Sequence, residues 1–302
     1  MMQAAQYRDT LVAGLRQDVA LAPLTWLRVG GRAEWFFEPA SLTALQAFLQ
    51  HNEKTITLLG GGSNVLVRDG GIRGVVIRLG RGFTSVAWQD GTVRVGAGVP
   101  LVSLARQAQQ KSRGGLEFLS GIPGRIGGAV AMNAGAFDND MSHILQEVTI
   151  VDKTGTVRVV KKDGLQFHYR GNKFVGDGVV VEAVLACPHR NRTSIAKTMM
   201  EMRTQRQGNQ PIAVRTGGST FKNPQGYQAW QLIDAAGCRG LRIGQACVSQ
   251  KHCNFLVNEG KATGEELERL GETIRQKVKA HSGIALAWEI QRLGEACYDE
   301  NA

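Results

Sequence analysis

Three glycine-rich segments contain most of the residues whose types and spacing could support chemistry. The first, Gly60-Gly61-Gly62-Ser63-Asn64, directly follows a short apolar run at residues 55–59. Glycines in such a turn let consecutive N–H groups point into one concavity that suits a pyrophosphate, with Ser63 and Asn64 as further donors. The segment is neither a P-loop nor a GxGxxG fingerprint, so a plain glycine turn is an equal alternative for this motif taken alone.

The second segment, residues 120–136, is dense in glycine and almost free of charge. Ordering such a stretch as an idle loop is costly, because glycine loses more backbone entropy on folding than any other residue. A backbone pressed against a large flat cofactor would explain this composition. Gly96-Ala97-Gly98 supplies another stretch without bulky side chains.

The third segment, residues 216–224, places Ser219 after two glycines and close to Lys222 and Asn223. This arrangement is typical of a presented hydroxyl, and a type-II turn with an incidental serine is the alternative. Phe221 occupies the position of the second glycine in a Gly-x-Ser-x-Gly elbow, which argues against a hydrolase nucleophile.

Two charged residues lie in apolar or aromatic surroundings. Arg170 follows Tyr169 within the aromatic segment 167–174, and an arginine in such a place often orients a carboxylate or phosphate. Glu289 lies in the apolar, strand-like run 285–290, where a carboxylate should be paired or functional. A surface ion pair is the alternative interpretation for each.

Composition limits the possible functions. The chain of 302 residues is 43% hydrophobic and has a net charge of +10, which alone would be compatible with nucleic-acid binding. The basic residues are spread out, however, and do not alternate with aromatics as in a single-strand groove, so we expect no nucleic-acid partner. No apolar run approaches the ~18 residues of a membrane span, so we expect no membrane association either.

The five cysteines indicate free thiols. Their number is odd, none forms a CxxC pair, and no export signal is apparent, which together favour a cytoplasmic protein. Cys247, His252 and Cys253 fit no zinc spacing, so we expect no metal site.

The remaining sequence predicts the elements that position these segments. Short apolar runs predict strands at 55–59, 75–79, 148–151, 156–160 and 179–185, and Asp90-Gly91 predicts a hairpin between 84–88 and 92–95. Helical spacing is found at 41–50, after Pro100, at 195–208 and at 229–236. Met199 and Met202, which lie on one face of the 195–208 helix, are read as core packing. Thr263 and Glu266 form a capping box for a further helix that ends near Gly283.

Together these segments resemble the UDP-N-acetylenolpyruvoylglucosamine reductase family, in its shorter type without an extra substrate-covering loop. The resemblance covers nearly the whole chain, from about Thr25 to Gly294. It rests on residues 25–31, 60–67, 120–136, 169–170, 218–224, 231–237, 251–258 and Glu289. The chain departs from the family pattern at Arg125, Asn172 and Gln291.

The resemblance implies an α+β fold: an FAD-binding domain of the vanillyl-alcohol oxidase (PCMH) type in two subdomains, then a C-terminal α/β substrate-binding domain. We place these at residues 1–85, 86–200 and 201–302. It further implies noncovalent FAD, NADPH as hydride donor, a UDP-linked sugar as substrate, and a monomer or weak dimer.

The resemblance also implies the site residues. FAD would be held by Gly60, Gly61, Gly62, Ser63, Asn64, Ser120, Gly121, Ile122, Pro123, Gly124, Gly127, Gly128, Ala129, Asn133 and Gly135. Ser219 would be the proton donor, with Arg170 and Glu289 as its catalytic companions. Tyr169, Lys222, Asn223 and Arg206 would bind the substrate.

Two other functions are open at this point. Another flavin oxidoreductase of the same fold, such as an alcohol or hydroxy-acid oxidase, would explain the cofactor loops but not residues 218–224 with Glu289. A basic nucleic-acid-binding protein would explain only the charge.

Overall fold

The protein folds into two compact units. A computed structural model describes residues 14–176 and 178–297. The first unit contains the described residues of Met1–Gln17, Trp35–Gly61 and Gly74–Arg203, and the second those of Asp18–Glu34, Gly62–Arg73 and Thr204–Ala302. The predicted limits at residues 85 and 200 stay a prediction.

A four-stranded sheet and one helix are formed by the N-terminal part of the chain. The strands here are β1 (Leu15–Ala20), β2 (Arg32–Phe37), β3 (Ile56–Leu58), β4 (Val65–Val67) and β5 (Ile72–Ile77), and the sheet has the order β1-β2-β5-β3. Helix α1 (Leu42–His51) begins at Ser41, whose side chain accepts a hydrogen bond from the N–H of Ala44. Its Phe48 ring packs 4.4 Å from that of Phe37.

A five-stranded antiparallel sheet is the centre of the first unit. It consists of β6 (Val86–Gln89), β7 (Thr92–Gly96), β10 (Leu145–Val151), β11 (Val157–Lys161) and β14 (Val179–Ala186), in the order β11-β10-β14-β7-β6. The predicted hairpin at Asp90-Gly91 is confirmed as β6–β7. Helix α2 (Leu101–Gln110) follows Pro100 and buries its apolar face, Leu101, Leu104, Ala105 and Ala108.

Short elements surround the glycine-rich segment of this unit. They are α3 (Ile126–Ala131), β8 (Gly135–Ala136), β9 (Asn139–Asp140), α4 (Met141–Ile144), β12 (Phe167–His168) and β13 (Gly171–Asn172). Single 3₁₀ turns lie at Ala22–Leu24, Arg81–Phe83, Glu117–Gly121 and Lys162–Gly164.

The C-terminal part of the chain forms a second antiparallel sheet with helices. After α5 (Arg192–Asn209) come β15 (Arg215–Ser219), α6 (Ala229–Ala235), β16 (Arg242–Ile243), β17 (Ala246–Val248), β18 (Phe255–Asn258), α7 (Gly264–Ser282) and β19 (Gln291–Leu293). The sheet order is β15-β18-β17-β16, and β19 pairs in parallel with β4. The predicted capping box of α7 is confirmed, and Gly283 ends the helix in the left-handed conformation.

One sequence expectation is modified, and one is confirmed. The run 285–290 is not a strand: it contains a single antiparallel bridge, Phe221↔Trp288, and the strand β19 begins only at Gln291. On α5, Met199 and Met202 pack against the core as predicted, but Met200 is 71% exposed. Within the described ranges, no helix is long and apolar enough to cross a membrane.

Candidate active site

The loop after β3 requires glycine because another chain segment lies directly against it. Gly62 has a φ of +65°, and a Cβ at this position would lie 2.2 Å from the carbonyl oxygen of Leu24. The carbonyl of Gly62 accepts a hydrogen bond from the N–H of Trp26 at 2.9 Å. Gly62 and the start of the motif at residues 25–31, which are distant in sequence, therefore pack together within the second unit.

Asn64 connects this loop to the backbone of Glu289, the predicted catalytic residue. Its side-chain amide donates to the carbonyl of Glu289 at 3.0 Å, and its own carbonyl accepts from the N–H of Gln291 at 3.0 Å. A residue predicted to bind cofactor thus also fixes the backbone of Glu289.

The two predicted cofactor loops meet backbone to backbone in the first unit. A Cβ on Gly61 would lie 2.8 Å from the Cα of Gly124, whereas a Cβ on Gly60 would lie 3.8 Å from the Cα of Gly128. A Cβ on Gly128 would meet no atom of the described residues within 4 Å. Bare backbone beside open space is the surface that a flat, extended cofactor needs.

Positive charge accumulates beside these loops. Arg125, just before α3, donates from Nη1 to the carbonyl of Leu79 at 2.9 Å. Burial and the nearby charge of Arg78 lower the pKa of Arg125, and Glu38 opposes that shift. Within the described part of the chain, the buried Nε of Arg78 has no hydrogen-bond partner. An anionic group such as a pyrophosphate would offset this charge and supply an acceptor.

Several predicted cofactor residues already use polar groups within the protein. The hydroxyl of Ser120 donates to the carbonyl of Glu117 at 2.7 Å. The N–H groups of Ile122, Gly127 and Ala129 donate to backbone carbonyls. These groups therefore shape the loop, and further cofactor contacts would come from their neighbours or from their remaining atoms.

Asn133 closes the end of the second glycine-rich segment. Its side chain is buried, donates to the Asp140 carboxylate and to the His168 carbonyl, each at 3.3 Å, and accepts from the N–H of Ser142 at 3.0 Å. These bonds use both amide hydrogens of Asn133, so a contact with a cofactor would be made by its backbone or by the remaining acceptor site of Oδ1.

Arg170 lies in the tight turn between β12 and β13. Its φ is +57°, a left-handed conformation that is uncommon for residues other than glycine and is often found at functional sites. Its guanidinium donates from Nη1 to the carbonyl of Gly135 at 3.3 Å and lies 5.2 Å from the ring centroid of Tyr169. Tyr169 is 54% exposed. The turn thus places these two predicted residues next to the end of the glycine-rich segment.

Ser219 follows a register irregularity in β15. The pairing of β15 with β18 shifts register between Thr216 and Ser219, and Gly218, with a φ of +81°, lies in the interruption. Two glycines in an irregular strand re-aim the next side chain. The segment is therefore an irregular strand and not a type-II turn, and the role of Ser219 stays a prediction.

Asn254, to which the sequence analysis assigned no role, locks the chain immediately after Ser219. Its buried side chain accepts from the N–H of Phe221 at 2.9 Å and donates to the carbonyl of Phe221 at 2.8 Å. Its own carbonyl accepts from the N–H of Thr220 at 2.8 Å. The signal in the sequence was a polar residue immediately before the apolar run of β18.

The backbone of Glu289 is held against the same segment. The N–H of Glu289 donates to the carbonyl of Thr220 at 2.8 Å, and the N–H of Lys222 donates to the carbonyl of Ala287 at 2.9 Å. Ser219 and Glu289, which are 70 positions apart in sequence, are therefore carried by adjacent, hydrogen-bonded segments of the second unit.

The predicted substrate residues of this unit differ in their surroundings. The side chain of Asn223 accepts from the N–H of Ala229 at 3.0 Å and so begins α6, while Lys222 is half-buried beside it. Arg206 lies in the last turn of α5, and burial lowers the pKa of its guanidinium. Lys251 donates to the carbonyl of Gln207 in that turn. Among the described residues, no group of three or more His, Cys, Asp or Glu side chains could hold a metal ion.

Comparison with known proteins gives consistent results along the chain. Residues 33–161 match the model of an FAD binding domain, and residues 210–293 match that of the UDP-N-acetylenolpyruvoylglucosamine reductase C-terminal domain. The UDP-N-acetylenolpyruvoylglucosamine reductase of Gluconobacter oxydans is 47% identical and covers 95% of both chains. That of Parvibaculum lavamentivorans is 48% identical over 95% of this chain and 92% of its own. The crystal structure of the enzyme from Thermus caldophilus is 35% identical, with a TM-score of 0.82, covering 93% of this chain and 100% of its own.

Proposed function

Because this chain belongs to the UDP-N-acetylenolpyruvoylglucosamine reductase family, we propose that it reduces UDP-N-acetylglucosamine enolpyruvate to UDP-N-acetylmuramate with NADPH, in peptidoglycan precursor synthesis. In the α+β fold, an FAD-binding domain then binds the cofactor and a C-terminal domain binds the substrate. The observation that most supports the reaction is the hydrogen-bonded pairing of the segments that carry Ser219 and Glu289.

FAD fits the glycine-rich loops of the first unit. Gly60, Gly61, Gly124 and Gly128 offer bare backbone, and the half-buried charge of Arg125 lies beside them. Bound FAD would supply the redox chemistry, accepting a hydride from NADPH and passing it to C3 of the enolpyruvyl group. The protein's part is to bind, orient and protonate.

Ser219 serves as the proton donor for C2 of the substrate. A serine hydroxyl is a very weak acid, so it can protonate only a strongly basic enolate at hydrogen-bond distance. Its place after the register irregularity of β15, next to the hydrogen-bonded Thr220–Phe221 segment, supports this role because the backbone at Ser219 is held in position. Arg170 stabilises the negative charge that builds on the substrate carboxylate, because a guanidinium can bind a carboxylate through two bonds. Glu289 orients the substrate or relays a proton.

The UDP part of the substrate meets Tyr169, Lys222, Asn223 and Arg206 in this proposal. The basic side chains suit phosphates, and Asn223 would contribute while also beginning α6. A cytoplasmic location is supported by the cysteines, which form no disulfide within the described residues. We further propose a monomer or weak dimer without nucleic-acid or membrane partners.

The Ser219→Ala variant tests the proposed chemistry. NADPH should still bleach bound FAD at the wild-type rate, because no proton donor to the substrate is needed in that step. Reoxidation by the enolpyruvyl substrate should slow by roughly 10²–10⁴-fold. Ser194→Ala, on helix α5, is the matched control and should change neither step. Equal loss in both half-reactions, measured by stopped-flow absorbance, would show that Ser219 is not a specific donor.

A further inference from the structure

A cluster on α7 contacts the segment that carries Glu289. We call Gly271, Glu272 and Arg275 of α7, together with Trp288 and Arg292, the Trp288 clamp. All five belong to the second unit. Residues 271, 272 and 275 project from neighbouring positions on the helix surface, since residues three and four apart are adjacent there.

Glu272 is the acceptor at the centre of the clamp. Its Oε1 accepts from the indole Nε1–H of Trp288 at 2.8 Å and from Arg292 Nη1 at 3.2 Å, and its Oε2 accepts from Arg275 Nη1 at 2.6 Å. Arg275 also donates from Nε to the carbonyl of Leu286 at 2.9 Å. Helix α7 therefore holds the 286–288 segment at two points, one on its backbone and one on the indole.

The indole ring is enclosed on its other sides. The guanidinium carbon of Arg292 lies 4.8 Å from the ring centroid of Trp288, and the Phe221 ring lies 5.1 Å from it. A Cβ on Gly271 would lie 2.1 Å from Cη2 and 2.3 Å from Cζ2 of the indole. Glycine is therefore the only residue type at position 271 that leaves room for the indole ring as it is placed here.

Trp288 is coupled to both predicted catalytic segments. It precedes Glu289 directly and forms the antiparallel bridge with Phe221, two residues after Ser219. The N–H of Glu289 donates to the carbonyl of Thr220 at 2.8 Å, and the carbonyl of Ala287 accepts from the N–H of Lys222 at 2.9 Å. A displacement of the indole would therefore be passed through the backbone to Glu289 and to the segment after Ser219.

We infer that Glu272 and Gly271, acting through the indole of Trp288, are positioning residues that set the placement of Glu289 relative to Ser219. This inference rests on the roles proposed above for those two residues. Displacement of a reacting group by about 1 Å can lower a rate by about 10²-fold, so a shift of the indole should be visible in catalysis.

Gly271→Ala is the sharpest perturbation, because alanine is the better helix former and the helix itself should not suffer. We expect reoxidation of the reduced enzyme by the enolpyruvyl substrate to slow by about 10–100-fold. Bleaching by NADPH should stay within about twofold of the wild type. Gly208→Ala, in helix α5, where a Cβ would meet no described atom within 4 Å, is the matched control.

Two further variants show whether the indole transmits the effect. Trp288→Phe removes the two clashing ring atoms, so adding it to Gly271→Ala should restore part of the lost reoxidation rate. Glu272→Gln keeps an acceptor for the indole and should preserve more of the rate than Glu272→Ala. A purely structural role would instead lower the thermal midpoint and both half-reactions in parallel, with no rescue, and that result would overturn the inference.

Glu289→Gln separates this inference from the proposed function. If Glu289→Gln leaves the reoxidation rate unchanged, the proposed catalytic role of Glu289 is wrong, and the positioning inference that rests on this role is refuted as well. If Glu289→Gln slows reoxidation while Gly271→Ala and Glu272→Ala do not, the catalytic role stands and the positioning inference is wrong.

Discussion

The substitution Asn254→Asp should destabilise the protein in a pH-dependent way. Asparagine and aspartate have almost the same shape, so packing around the 4% exposed side chain is preserved. What changes is one atom: the nitrogen that donates to the carbonyl of Phe221 at 2.8 Å becomes an oxygen. The bond accepted from the N–H of Phe221 at 2.9 Å can remain.

The magnitude follows from these two contacts. Leaving the buried Phe221 carbonyl without its donor costs about 1–3 kcal/mol. When the new aspartate is ionised, its negative charge also faces the carbonyl oxygen of Phe221, which is unfavourable. This repulsion raises the pKa of the aspartate in the folded protein, and each pKa unit corresponds to about 1.4 kcal/mol of lost stability. Below its unfolded pKa, the carboxyl carries a proton and can donate again. The variant should therefore lose stability as the pH rises from about 4 toward 7, with a deficit of about 3 kcal/mol at neutral pH.

Urea unfolding at several pH values measures this deficit. Asn223→Asp is the matched control, because it makes the same change at an exposed side chain. Aspartate retains the oxygen acceptor for the N–H of Ala229, and water can replace the lost donor to the exposed Gln228. If Asn254→Asp were as stable as Asn223→Asp at every pH, the hydrogen-bond pair that locks the Ser219 segment would be refuted.

Three further predictions concern other parts of the molecule. Arg170→Lys should slow substrate reduction by about 10-fold or more while leaving the NADPH step intact, because a point charge cannot form the two bonds of a guanidinium, and unchanged turnover would contradict its role. Burial works to raise the pKa of Glu268, but hydrogen bonds and charges of Arg68 and Arg292 hold it below its ordinary value of 4.5. The stability that this carboxylate contributes should be present near neutral pH and lost as the pH falls below about 4.5, so the thermal midpoints of wild type and Glu268→Gln should converge there; parallel curves would disprove the network. Burial raises the pKa of three thiols, those of Cys187, Cys247 and Cys253, to about 11. A thiol reagent should therefore label the exposed Cys297 in the native protein well before the buried cysteines, which are these three and Cys238. Rapid labelling of several thiols would contradict their burial.

Local signals predicted most secondary structure correctly. The capping box at Thr263, the Asp90-Gly91 hairpin and the apolar face after Pro100 are determined by neighbours in sequence, so they could be read directly. The run 285–290 was predicted as strand-like because it is apolar. Its Trp288 side chain instead contacts Glu272 of α7 and Phe221, and these contacts between distant parts of the sequence cannot be seen in a local pattern.

The candidate site was predictable in residue types but not in the contacts that hold it. Glycines and a preceding strand indicated the cofactor loops, whereas the approach of Gly62 to Leu24 depends on tertiary packing. The role of Asn254 depends on hydrogen bonds to Phe221, 33 positions away, and that of Glu272 on an indole 16 positions away. Such partners are chosen by the folded arrangement, and their sequence signals are single polar residues.

An absorbance spectrum of the purified protein, followed by anaerobic additions, tests the central claim most directly. The proposed function predicts flavin bands that bleach with NADPH and return when UDP-N-acetylglucosamine enolpyruvate is added. Bands that bleach but return only with oxygen would point to another flavin oxidoreductase. If flavin bands were absent even after FAD was supplied, the account of the glycine-rich loops and the reaction built on it would be contradicted.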